Sequence, residues 1–204
     1  VSVILLNNNN TKLLNYKAAL IMLKFKPQTI ALKNQKLVTI RQAEIADAEG
    51  LLQCIKAYIP ESSYILKLEQ EITLSIEQER AWINSFLISD NSLLLVAEYN
   101  NQIIGNIDLT GSKRKAMEHT AVIGMGLLKA WRNVGLGTQL LQFIIEWAKE
   151  NEVLELIWLQ VYTQNELALK VYRRVGFEEN GVIKGFFKQN NTYFDNLTMS
   201  LKVK

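Results

Sequence analysis

The sequence is poor in residues that staple a fold or ligate a metal. Its 204 residues include one cysteine, Cys54, and one histidine, His119. No internal disulfide framework can therefore form, and no cysteine and histidine cluster is available to hold zinc, so no metal is expected. A reducing, cytoplasmic setting is the default that follows. No run of 18 or more apolar residues occurs, which argues against a membrane-spanning helix and a membrane partner. Acids are missing from residues 1–36, which hold six lysines, while the rest of the chain carries 17 basic against 20 acidic residues. That leader also lacks the basic start and small-residue cleavage site of a signal peptide. Residues 1–36 are expected to be an accessory extension, with a basic surface-binding arm as the alternative, and residues 37–204 to form the functional domain. The short basic loop Lys113-Arg114-Lys115 has no interleaved aromatics, so no nucleic-acid partner is expected.

What is present suits a globular α/β domain. Hydrophobic residues make up 49% of the chain, enough to fill a core. LVTIRQA alternates as a strand does, and EIADAEGLLQCIKAYI spaces its apolar residues as a helix. SIEQERAWINSFLI predicts a second helix. SLLLVAEY and QIIGNIDLT predict two strands joined by a tight turn at Asn100 and Asn101, residues that tolerate positive φ. EHTAVIGMGLL reads as a further strand. Residues 136–150 then predict an amphipathic helix with Leu140, Leu141, Ile144, Ile145 and Ala148 on one stripe. LELIWLQVY reads as a strand covered on both faces, so strand, helix and strand imply a right-handed parallel crossover. Thr163 and Glu166 have capping-box spacing. They predict a helix carrying Leu167, Ala168, Val171, Tyr172 and Val175 inward before Gly176 ends it. Two strands, GFEENGVIKGFFK and TYFDNLTMSLKV, close the chain.

The segment Arg132-Asn133-Val134-Gly135-Leu136-Gly137 lies between a predicted strand and a predicted helix. The first turn of a helix has unpaired N–H groups and a positive dipole end, and preceding glycines let those amides wrap a phosphate. Leu140 stands where a dinucleotide fingerprint needs a third glycine, and the Gly-Lys of a P-loop is missing. A helix merely opened by permissive residues is the alternative on this motif alone.

The R-x-x-G-x-G pattern resembles the loop of the GNAT superfamily, the acyl-CoA-dependent N-acetyltransferases. NELALKVYRRVGF is similar to the second motif of that superfamily, N-x-x-A-x-x-x-Y followed by Gly-Phe, and the likeness covers about residues 37–202. The resemblance implies a mixed, mostly antiparallel central sheet flanked by helices, with a splayed parallel strand pair at its centre. It implies acetyl-CoA as donor, with the backbone of Met125, Gly126 and Leu127 pairing the pantetheine arm. Arg132, Asn133, Val134, Gly135, Leu136, Gly137 and Thr138 would surround the pyrophosphate, and Asn165 would contact the pantetheine. Tyr172 would protonate the departing thiolate.

Direct attack of an amine in a ternary complex fits these parts. Cys54 has no histidine partner in sequence and an inward pattern, so a covalent route lacks support. Some members place a glutamate where Gln160 stands, and an amide cannot take the amine's proton. Glu118 and His119 are the candidate bases, and because they point to opposite faces of a strand, at most one faces the acceptor. KRKAMEHTAVIGMGL resembles a small-molecule and amino-acid acetyltransferase subgroup. The loop Pro60-Glu61-Ser62-Ser63-Tyr64 and the last strands near Tyr193 and Asp195 are the expected acceptor walls. A small amine or amino acid is the expected acceptor. Protein N-terminal or lysine acetylation and a non-catalytic acyl-CoA-binding module are the alternatives, and a homodimer is left open.

Overall fold

Eight strands order as one sheet in the computed structural model, which describes residues 25–65 and 75–204. They are β1 (Gln28–Ala31), β2 (Leu37–Gln42), β3 (Leu93–Tyr99), β4 (Gln102–Gly111), β5 (Thr120–Leu127), β6 (Leu156–Tyr162), β7 (Glu178–Gln189) and β8 (Thr192–Lys202). The spatial order is β1-β2-β3-β4-β5-β6-β8-β7, antiparallel throughout except for the parallel β5–β6 pair. This is the mixed, mostly antiparallel architecture, with a splayed parallel pair, that the resemblance implies. Among the described residues four helices pack on it: α1 (Ala48–Tyr58), α2 (Ile76–Leu87), α3 (Leu136–Glu150) and α4 (Glu166–Arg174).

Period-two alternation divides the sheet into two faces. Ile107 and Leu109 of β4, with Ile123 of β5 and Ile157, Leu159 and Val161 of β6, join Leu140, Leu141, Ile144, Ile145 and Ala148 of α3 in one core. Leu94 and Val96 of β3 face the other way, into a core with Leu51, Ile55 and Tyr58 of α1 and Ile83 and Phe86 of α2. The α3 stripe is buried as its spacing predicts. Asn100 and Asn101 take φ of 49° and 61°, which turns β3 into β4.

Three readings are corrected. The hairpin β1–β2 crosses the boundary expected at residue 36, because Gln28–Ala31 pair with Leu37–Ile40 and belong to the sheet. The rest of the expected extension, residues 1–24, lies outside the described residues. β6 alternates buried and half-buried residues instead of being covered on both faces, since one face packs on α3 while the other is only partly covered. In α4, Leu169 is buried and Leu167 is 62% exposed. There Asn165 is the N-cap in place of the Thr163 box, and its side chain accepts from the Ala168 N–H at 3.3 Å.

Candidate active site

β5 and β6 pair only through Thr120, Ala121 and Val122 against Leu156, Ile157 and Trp158. Beyond them β5 stays bonded to β4 as far as Leu127, and β6 to β8 as far as Tyr162. The facing edges of Ile123–Leu127 and Leu159–Tyr162 have no ladder between them. An exposed strand edge of this kind offers N–H and C=O groups that an extended, amide-rich ligand completes.

The mouth of this opening is the start of α3. Asn133 and Gly135 have φ of 63° and 96°, the left-handed conformation that glycine adopts without strain. Among the described residues, no protein oxygen accepts from the amides of Val134, Gly135, Leu136, Gly137 or Thr138. No acid stands in the first turn of the helix. These amides and the helix dipole form an anion cradle, and Leu136, fully buried, pins it to the core.

Arg132, implied to lie beside the pyrophosphate, is bonded within the chain. Its Nε donates to the Leu127 carbonyl and its Nη1 to the Glu61 carbonyl, both at 3.0 Å, while the Glu61 carboxylate accepts from the Lys129 N–H at 3.1 Å. The guanidinium thus ties the end of β5 to the Pro60–Tyr64 loop.

Asn165 and Tyr172 stand about 10 Å apart along α4. Tyr172 is partly buried, with Phe177 tilted against it at 5.9 Å between ring centres. Desolvation pushes its phenol up to about 12, so it stays protonated through the neutral range and is able to donate.

The two expected bases are not brought to this place. β5 begins at Thr120, after a 3-10 turn at Lys115–Met117, so Glu118 and His119 precede the strand. The His119 carbonyl accepts from the amides of Glu155 and Leu156 at the closed end of the β5–β6 pair. Strand rise puts it about 20 Å from Met125. Glu118 forms an exposed ion pair with Lys115. Gln160 is half-buried on β6, opposite Thr198.

The face toward α1 holds polar groups that sequence reasoning missed. Tyr58 lies over Gly126, where a Cβ would come within 2.1 Å of its ring, and its hydroxyl donates to Asn106 Oδ1 at 3.1 Å. Asp108 lies over Gly124 in the same way. The readable signal was Asn106 and Asp108 two apart in an apolar strand, with Gly124 and Gly126 two apart in another.

Of the expected acceptor walls, Tyr64 lies 5.7 Å from Tyr162, which stacks on Phe187 at 4.2 Å. Asp195 is already engaged by Lys184 at 2.7 Å and the Gly185 N–H at 2.9 Å, and Tyr193 is 63% exposed under Lys188. Cys54 is buried, and desolvation raises its thiol to about 12, so it is no nucleophile at neutral pH.

A free-amide cradle opening onto a splayed parallel pair defines a fold that binds a phosphate-bearing, amide-rich acyl carrier. The acetyltransferase (GNAT) family pattern matches residues 59–177, more than half of the chain, and the chain belongs to that family. The L-amino acid N-acetyltransferase AaaT of Escherichia coli (strain K12) is 30% identical over 101 residues, 50% of this chain and 62% of that protein. The chain thus spans less than two thirds of that relative's length. An N-alpha-acetyltransferase of Sulfurisphaera tokodaii is 24% identical over 163 residues, 76% of this chain and 89% of the relative. A GNAT-family acetyltransferase structure from Streptococcus pneumoniae superposes with a TM-score of 0.79 at 28% identity, covering 82% of this chain and 99% of that one. The yncA structure from Salmonella typhimurium, solved with its cofactor acetyl-CoA, has the same fold, with a TM-score of 0.74 at 18% identity over 82% and 94% of the two chains.

Among the described residues no helix is long and apolar enough to cross a membrane, and no group of His, Cys, Asp and Glu is arranged to hold a metal ion.

Proposed function

We propose that this chain transfers acetyl from acetyl-CoA to the primary amine of a small molecule or amino acid, by direct attack in a ternary complex. One observation carries the reading: the free amides of Val134 to Thr138 open onto the unpaired edge of β5, with the phenol of Tyr172 held protonated on the adjoining helix. The cradle residues fit a diphosphate, and the β5 edge at Met125, Gly126 and Leu127 fits an amide-bearing arm. The Asn165 side-chain oxygen is used by its own helix, which leaves its amide NH2 free to donate.

Bound acetyl-CoA supplies an activated thioester. The chain's part is to hold it beside the amine, give donors to the oxygen that gains charge, and protonate sulfur from Tyr172. The buried Cys54 thiol speaks against an acyl-enzyme route. The similarity to an L-amino acid acetyltransferase supports a small acceptor. Protein N-terminal acetylation is the second reading, favoured by the archaeal N-alpha-acetyltransferase that aligns over 89% of its length.

Thiol release from acetyl-CoA, measured across free amino acids, spermidine, aminoglycosides and peptides, tests the reading. Turnover with free amino acids or small amines is expected. Turnover with peptides alone selects the second reading, and acetyl-CoA binding without turnover of any amine overturns both.

A further inference from the structure

Asp108 is paired with no counter-charge among the described residues. It sits mid-strand in β4, between Leu94 of β3 and Gly124 of β5. The Thr110 hydroxyl donates to its Oδ2 at 3.1 Å, and among the described residues no lysine, arginine or histidine forms an ion pair with it. A half-buried carboxylate on these terms costs stability.

Its position gives the charge a use. A Cβ on Gly124 would lie 2.6 Å from Asp108 Oδ1, so the carboxylate rests directly on the β5 backbone. Gly124 is two residues beyond Val122, the last residue of β5 paired with β6, and thus lies on the open edge. Tyr58 covers Gly126 beside it, held by Asn106. Among the described residues, the titratable groups that act on Tyr58 at this spot are Cys54 of α1, Glu79 of α2 and Asp108 itself, none of them a cation. Tyr172, by contrast, packs with the core on the α3 side of the sheet.

We propose that Asp108 is the general base of the transfer, taking the proton of the attacking amine on the α1 side of the open edge. This rests on the amine-transfer reading above. The amine nitrogen bonds to the acetyl carbon and the carbon–sulfur bond breaks; the amine's proton passes to Asp108 and the phenol proton of Tyr172 to sulfur. Solvent then returns a proton from Asp108 to Tyr172. Desolvation raises the Asp108 carboxyl to about 6, which leaves it ionised at neutral pH yet more basic than an ordinary aspartate.

The test is thiol release by Asp108→Asn and Asp108→Glu with the amines of the panel above, alongside calorimetric titration of acetyl-CoA. The asparagine variant should lose about 100-fold or more in kcat, lose the acid limb of its pH profile near 6, and bind acetyl-CoA as the wild type does. The glutamate variant should recover part of the rate. An asparagine variant with wild-type kcat and pH profile, or one that changes only the amine's KM, overturns the proposal while the amine-transfer reading stands. A wild type that binds acetyl-CoA and turns over no amine overturns the reading and the proposal together.

Discussion

The same cause, the removal of water, raises both the Tyr172 phenol and the Asp108 carboxyl, with opposite consequences. For Tyr172 it protects the proton that a leaving thiolate needs. Replacing Tyr172 with Phe should lower kcat by about 100-fold with acetyl-CoA affinity unchanged by calorimetry, since the ring still packs on Phe177. For Asp108 it makes ionisation costly. The unfolded chain ionises this carboxyl near 3.8 and the folded one near 6, so its contribution to stability is full below pH 4 and is lost as pH rises through 6. Asp108→Asn should therefore stabilise the fold at pH 8, on the order of 2 kcal/mol. Urea unfolding at pH 8 and pH 4 checks this, and the gain should vanish at the lower pH.

At the scale of elements, the cradle and the open edge depend on backbone that lacks side chains. Gly135 holds φ of 96° at the start of α3. Gly135→Ala should cost about 1–2 kcal/mol in stability and weaken acetyl-CoA binding at least tenfold, read by thermal melting and calorimetry. Gly126→Ala places a methyl where the Tyr58 ring lies and must displace it from Asn106. Its expected effect is a raised KM for the amine, measured in the same thiol-release assay. Gly135 was legible in the sequence as part of a phosphate-wrapping turn. What approaches Gly126 and Gly124 was not, because Tyr58 and Asp108 lie far away along the chain and reach them only through α1 packing and the β4–β5 register.

Across the whole molecule, the sheet makes the site by stopping short. β5 and β6 share three paired residues and then separate, each held straight by its outer neighbour, β4 or β8. The first hairpin reaches this centre as well, since the Lys33 N–H donates to the Val134 carbonyl at 3.1 Å and Leu32 is buried. A chain shortened to begin at Leu37 should melt at lower temperature and bind acetyl-CoA more weakly, because β2 loses its partner and the cradle loses a brace. Comparing its melting curve and calorimetric titration with those of the full chain checks both effects.

The amino-acid sequence alone determined the features that arise within a few turns of chain. These are the apolar stripe of α3, the Asn100-Asn101 turn, the glycines that free the α3 amides, and the spacing of Asn165 and Tyr172, all governed by local dihedrals and helical period. Tertiary structure decided which distant side chains meet. It turned Arg132 into a clasp on the Pro60–Tyr64 loop, left His119 at the closed end of the strand pair, engaged Asp195 with Lys184, and laid Asp108 across Gly124. Strand register and helix docking are long-range packing outcomes, set by how whole apolar faces cover one another and not by any short stretch of residues.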